Sequence, residues 1–231
     1  MGLPAVTSYP MPAISAVPVS PPPSAIDPSR AALLIHDVQN HFVDAFPAEC
    51  SPVVELIDNI STLRELAGTL GTPVVFSAEP APREPDMPGV ANGIWGPADR
   101  GPGPDAAGIV GQLAPRTGED VLINTRHNAF LRSHLGRLLR STGRDQLILC
   151  GVRAHLGILL TAADAFVNDI QPFVVADAVA DLSAEDHAMA LRWVARTGVV
   201  CATDQLLREL LHGGAAQDRR ACPPQEQRRP G

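Results

Sequence analysis

The feature that most constrains this chain is a repeated one: short apolar runs, each ending abruptly in a polar residue, separated by stretches with helical periodicity. The run Ala31–Ile35 is too short for an ordinary helix and fits a strand buried on both faces, as in the centre of a parallel sheet. Comparable runs follow at Thr72–Ser77, Val121–Asn124, Asp145–Cys150, Pro172–Ala176 and Gly198–Thr203. Between them, Val53 to Leu70 repeats apolar residues at helical spacing and is closed by Gly71, a residue suited to a left-handed cap. Further helices are expected over Ala129–Ser141 and Ile158–Asn168, and from an N-cap at Ser183 with Glu185 and Asp186 in its first turn to Arg196. Asp204 opens a short final helix. Six strands alternating with helices through short connections predict a three-layer α/β/α domain with a doubly wound, mostly parallel sheet.

That domain should occupy residues 29–212. Residues 1–28 form a proline-rich arm available to a neighbouring subunit, and the polar tail 213–231 is expected to be disordered. The Pro- and Gly-rich stretch 80–107, which contains Trp95, is long enough to be a functional loop over a pocket.

Several function classes are excluded by what the chain lacks. A net charge of −7 with no basic stripe argues against nucleic acid, and no apolar run is long enough to span a membrane. Without a signal-peptide pattern the protein is expected in the cytoplasm, where scattered Cys50, Cys150, Cys201 and Cys222 stay reduced. No Gly-rich fingerprint follows the first strand, which leaves a dinucleotide cofactor without support, and no G-x-S-x-G elbow occurs. All 18 basic residues are arginine, so chemistry requiring an ammonium or a Schiff base is ruled out. No metal-binding cluster is evident; the expectation is a small-molecule site with neither metal nor cofactor.

In open α/β sheets ligands bind outside the carboxyl ends of the strands. Asp37 stands at such an end, where it either carries chemistry or merely caps the turn. Glu79, Asn124 and the turn Gly151–Gly157 hold the corresponding places after later strands.

Together these positions resemble the isochorismatase-like hydrolases. The D-x-Q-x-x-F signature of that family is matched by Asp37, Gln39 and Phe42, and Gly151-Val-Arg-Ala-His-Leu-Gly157 is similar to the G-V-Y-A-H-x-G turn of isochorismatases from phenazine and aryl-carboxylate pathways. The likeness runs from about residue 3 to 210 and includes Gly143–Leu147, Asn168–Phe173, Ala176–Asp181 and a Ser8-Tyr9-Pro10 arm. It implies that Asp37 is the acid that protonates the methylene of an enolpyruvyl vinyl ether, giving an oxocarbenium ion that water captures to release pyruvate. It further implies a substrate pocket lined by Gln39, Phe42, Glu79, Trp95, Arg126, Ala154, His155 and Gly157, a cis Val152–Arg153 peptide, and no bound metal.

The departures matter equally. Amidases of the family place a nucleophilic cysteine where Gly157 stands, and Cys150 at the end of an apolar strand is either a buried core thiol or a displaced nucleophile. The family lysine falls on Asn124, its tyrosine on Arg153, a strand-two glutamine on Glu79 and a loop arginine on Pro88. Losing the lysine could leave Asp37 a stronger proton donor, or could remove a donor that the reaction needs. Arg153 either receives a substrate carboxylate or pairs with Glu79, and His155 is read first as a structural hydrogen-bonding group. His36 and His41 flank Asp37 without a required orientation toward it. The expected protein is a homodimeric enzyme acting on a small cyclic carboxylate, with a diverged non-hydrolytic enzyme or a non-catalytic binding protein as alternatives.

Overall fold

The computed structural model describes residues 6–13, 15, 25–80, 105–123 and 127–221, with side chains as far as His212. Six parallel strands form one sheet: β1 (Ala31–His36), β2 (Val74–Ala78), β3 (Asp120–Ile123), β4 (Gln146–Val152), β5 (Gln171–Ala180) and β6 (Val199–Cys201), in the order β3-β2-β1-β4-β5-β6. The order runs outward in both directions from β1 and β4, so the topological switch point lies between them. A crevice opens at the strand C-termini there.

Alternation along the strands divides the core in two. Leu33, Ile35, Phe76, Ile148, Cys150, Phe173 and Val175 face helices α2 (Val53–Thr69) and α6 (Thr203–Ala221). Their neighbours Ala32, Leu34, Val75, Leu147, Leu149 and Val174 face α3 (Leu135–Ser141), α4 (Leu159–Val167) and α5 (Ala184–Val194). A short α1 (Asn40–Val43) follows the first strand. This is the three-layer α/β/α architecture expected from the apolar runs. No helix among the described residues is long and apolar enough to cross a membrane.

Three elements differ from expectation for local reasons. The helix predicted from Ala129 begins at Leu135, because Arg132 adopts φ 57° while Asn128 and Ser133 bond their own neighbouring backbone. β3 is an edge strand with only Leu122 buried. Where a short closing helix was expected, α6 runs to Ala221.

Residues 6–13 of the arm lie on their own domain. Val6 donates to the Ala45 carbonyl, and the buried Tyr9 hydroxyl receives the Asp181 N–H at 2.8 Å and lies 3.1 Å from the Asp181 carbonyl. Tyr9→Phe should therefore cost about 1–3 kcal/mol, by leaving buried Asp181 backbone groups without a partner. Urea unfolding would measure it, and an unchanged midpoint would contradict the anchoring role.

Candidate active site at the sheet switch point

Asp37 follows β1, Glu79 follows β2 and Arg153 follows β4, three adjacent strands, so their side chains reach the same crevice. Asp37 is buried and adopts φ 50°, a left-handed conformation that non-glycine residues take at a cost when the surroundings fix it. The Ser77 hydroxyl donates to Asp37 Oδ1 at 2.7 Å, and His36 Nδ1 lies 3.1 Å from Oδ2. That second contact is close and polar but poorly aligned for a hydrogen bond. Burial pushes the Asp37 carboxyl up, but His36, the Ser77 hydroxyl and the His127 imidazole together hold it below the ordinary carboxylate range.

The opposite wall is a second polar group. His127 Nδ1 lies 2.7 Å from Glu79 Oε1, Arg153 Nη2 is 3.2 Å from the same nitrogen, and Arg153 is 4.0 Å from Glu79. One imidazole nitrogen cannot both donate to a carboxylate and accept from a guanidinium. Alignment decides: Arg153 Nη2 donates to Nδ1, while Nδ1 lies close to Glu79 Oε1 without the geometry of a hydrogen bond. That bond uses one of the guanidinium's five N–H groups, and the others can serve another acceptor. Its plane lies over the Phe42 ring, with Cζ 4.9 Å from the centroid.

Of the other pocket residues, Gln39 is fully buried and spent on backbone: its amide donates to the Glu79 and Ala107 carbonyls and accepts from Glu79 N–H. It fixes the mouth of the site rather than presenting donors to a substrate. Ala154 places its methyl in the α3–α5 core. His155 is held by Asp181, through Nδ1 at 2.6 Å and its backbone N–H at 2.5 Å, the structural use expected first. Gly157 lies in a π turn, Ala154–Ile158, entered through the Val152–Arg153 peptide, which is cis as the resemblance implied. Cys150 is a core thiol: its sulfur faces the Leu34 carbonyl and burial pushes its pKa far up, so it is no displaced nucleophile. Trp95, Asn124, Arg126 and Pro88 lie outside the described residues.

Sequence reasoning missed Ser77 and His127. Ser77 was detectable in principle, as the polar residue in register with His36 at the end of an apolar strand. His127 follows an edge strand in a turn with φ 57°, where nothing in the sequence fixes its direction.

Among the described residues, two groups of side chains bring ligand atoms within 4.8 Å of one another: Asp37, Glu79 and His127, and His155, Asp181 and Asp186. In the first, Glu79 lies 2.7 Å from His127 and 4.0 Å from Arg153, while Asp37 accepts from Ser77. In the second, Asp181 is taken up by His155 and the Leu182 N–H.

Comparisons with known proteins agree with this geometry. The family profile described as the isochorismatase domain matches residues 31–205. The isochorismatase of Bacillus subtilis (strain 168) is 45% identical over 216 residues, covering 93% of this chain and 69% of its own length. The phenazine biosynthesis protein PhzD of Pseudomonas fluorescens is 39% identical, covering 89% of this chain and 99% of its own. Among solved structures, a cysteine hydrolase from Pseudomonas syringae pv. phaseolicola 1448A shares the fold with a TM-score of 0.73 at 18% identity, covering 85% of this chain and 98% of its own. With its domain match, its close relatives and its six-stranded sheet, the chain belongs to the isochorismatase family of enzymes.

Proposed function

We propose that the protein hydrolyses the vinyl ether of an isochorismate-like cyclic carboxylate in the cytoplasm, with Asp37 as the proton donor. The observation that carries this reading is a buried, positioned carboxylate in a crevice whose turn ends in Gly157, so that no thiol stands there to attack a substrate. Proton transfer to carbon is chemistry that such a group performs without a covalent enzyme intermediate. Arg153, with donors to spare beside Phe42, suits the substrate carboxylate and takes over part of the charge that Asn124 no longer brings.

In the free enzyme the low Asp37 pKa leaves the group ionised at neutral pH, so it has to gain its proton. A dianionic substrate entering a buried site raises a neighbouring carboxyl by like-charge repulsion. Binding should therefore take up a proton. Calorimetric titration with a saturated dicarboxylate analogue should give heats that change with buffer ionisation enthalpy, and kcat/KM should rise as pH falls from the neutral range. Buffer-independent heats would show that Asp37 is not loaded by the substrate.

The close Glu79–His127 contact favours a second reading, in which the imidazole beside that carboxylate removes a substrate proton for an elimination or rearrangement. Substrate consumption without pyruvate would select it. We also propose a homodimer; Phe166 and Val167 at the end of α4 and Trp193 on α5 are exposed apolar side chains that a second copy would cover. Light scattering should give twice the monomer mass at micromolar concentration.

A further inference from the structure

We propose that His36, seated in the space a side chain at position 157 would fill, is the positioning residue that fixes the Asp37 carboxylate, and that residue 157 is glycine to make room for it. The inference deepens the reading of Asp37 as the working carboxylate and rests on it. A Cβ on Gly157 would lie 2.7 Å from His36 Cε1 and 3.1 Å from both ring nitrogens. Contacts under 3.0 Å force something to move, and here the neighbour is a ring with 0% exposure. The ring cannot swing away at its base either. His36 pairs in register with Gly151, whose own Cβ would sit 2.1 Å from the His36 carbonyl.

The His36 backbone is thus pressed against Gly151 and its imidazole sits under Gly157, with Nδ1 3.1 Å from Asp37 Oδ2, opposite the Ser77 hydroxyl on Oδ1. Both carboxylate oxygens have a polar neighbour, and the left-handed Asp37 backbone aims the group into the crevice. Among the described residues, the other charged and titratable groups facing Asp37 are Glu79, His127 and Arg153, all on the far wall. In this site the space under the turn goes to a group that orients an acid. A residue with a side chain at position 157 would compete with it.

The test reads Asp37 directly, without substrate. The Asp37 carboxyl is followed by carbon NMR on aspartate-labelled protein, assigned with Asp37→Asn, in the wild type, His36→Asn, His36→Ala, Gly157→Ala and the double variant His36→Ala/Gly157→Ala. Removing the neighbour of Oδ2 takes away stabilisation of the charged form. The Asp37 midpoint should therefore move up by about one unit in His36→Ala and Gly157→Ala. His36→Asn keeps a polar group near the Nδ1 position and should shift the midpoint less than His36→Ala. Thermal melting should show Gly157→Ala strongly destabilised and the double variant less destabilised than the sum of the two, since the clash vanishes with the ring. A merely structural His36 would lower the melting temperature and leave the Asp37 midpoint in place; that result, or additive melting losses, would overturn the proposal. Pyruvate release from isochorismate is measured in parallel. Its absence in the wild type with the midpoint shifts intact would refute the substrate reading and leave the positioning role standing.

Discussion

Replacing Asp37 by asparagine should lower kcat for pyruvate release by about 10²–10⁴-fold, the usual contribution of a positioned acid–base group, while the protein stays folded. Asparagine keeps the shape, and its carbonyl still accepts the 2.7 Å bond from Ser77, so the loss is of a transferable proton rather than of packing. The change also has a pH signature in stability. A carboxyl whose folded-state pKa lies below its unfolded value stabilises the fold above that unfolded value, near 3.9 for aspartate, and loses the contribution as pH falls through the folded value. Asp37 is depressed in this way, so the stability difference between wild type and Asp37→Asn should be largest near neutrality and shrink in acid. Paired urea titrations at neutral and acid pH would check it; a constant difference would mean that Asp37 is not held ionised.

Gly151→Ala should have the largest effect on folding. The residue has φ 118°, and its Cβ would meet the His36 carbonyl at 2.1 Å and the His36 amide at 2.8 Å, backbone atoms in the middle of the sheet that cannot yield singly. A cost on the order of 4–5 kcal/mol or more is expected, a large part of the 5–15 kcal/mol that holds a typical domain together. Gly71→Ala is the control. Its φ is 65° but nothing lies within 4 Å of the added carbon, so only the left-handed penalty of about 1–2 kcal/mol should appear. Similar losses in the two variants, read from unfolding midpoints, would show that the β1–β4 contact has less rigidity than its distances imply.

The sheet was legible because burial on both faces demands continuous apolar runs, and β1, β2, β4, β5 and β6 have them. Strand and helix limits were less so where side chains compete with the backbone, as Asn128 and Ser133 do ahead of α3. In the site, Asp37, Glu79 and Arg153 could be anticipated from their places after strands, since strand order alone gathers them. What Gln39 does could not: a buried amide looks the same in sequence whether it meets a ligand or closes on Glu79 and Ala107 backbone. His36 was ambiguous for a related reason. Its role depends on register with Gly151 and on the return of the π turn past its ring, contacts between segments more than a hundred residues apart in sequence.

The most direct measurement is turnover of isochorismate in deuterium oxide, with the pyruvate trapped at once as lactate by lactate dehydrogenase and analysed by mass. Protonation of the vinyl methylene by Asp37 predicts lactate carrying one deuterium in its methyl group from the wild type, and essentially none formed by Asp37→Asn over the same time. Equal lactate from the two proteins, or no lactate from the wild type while isochorismate persists, would contradict the assignment of Asp37 as the acid of a vinyl-ether hydrolase.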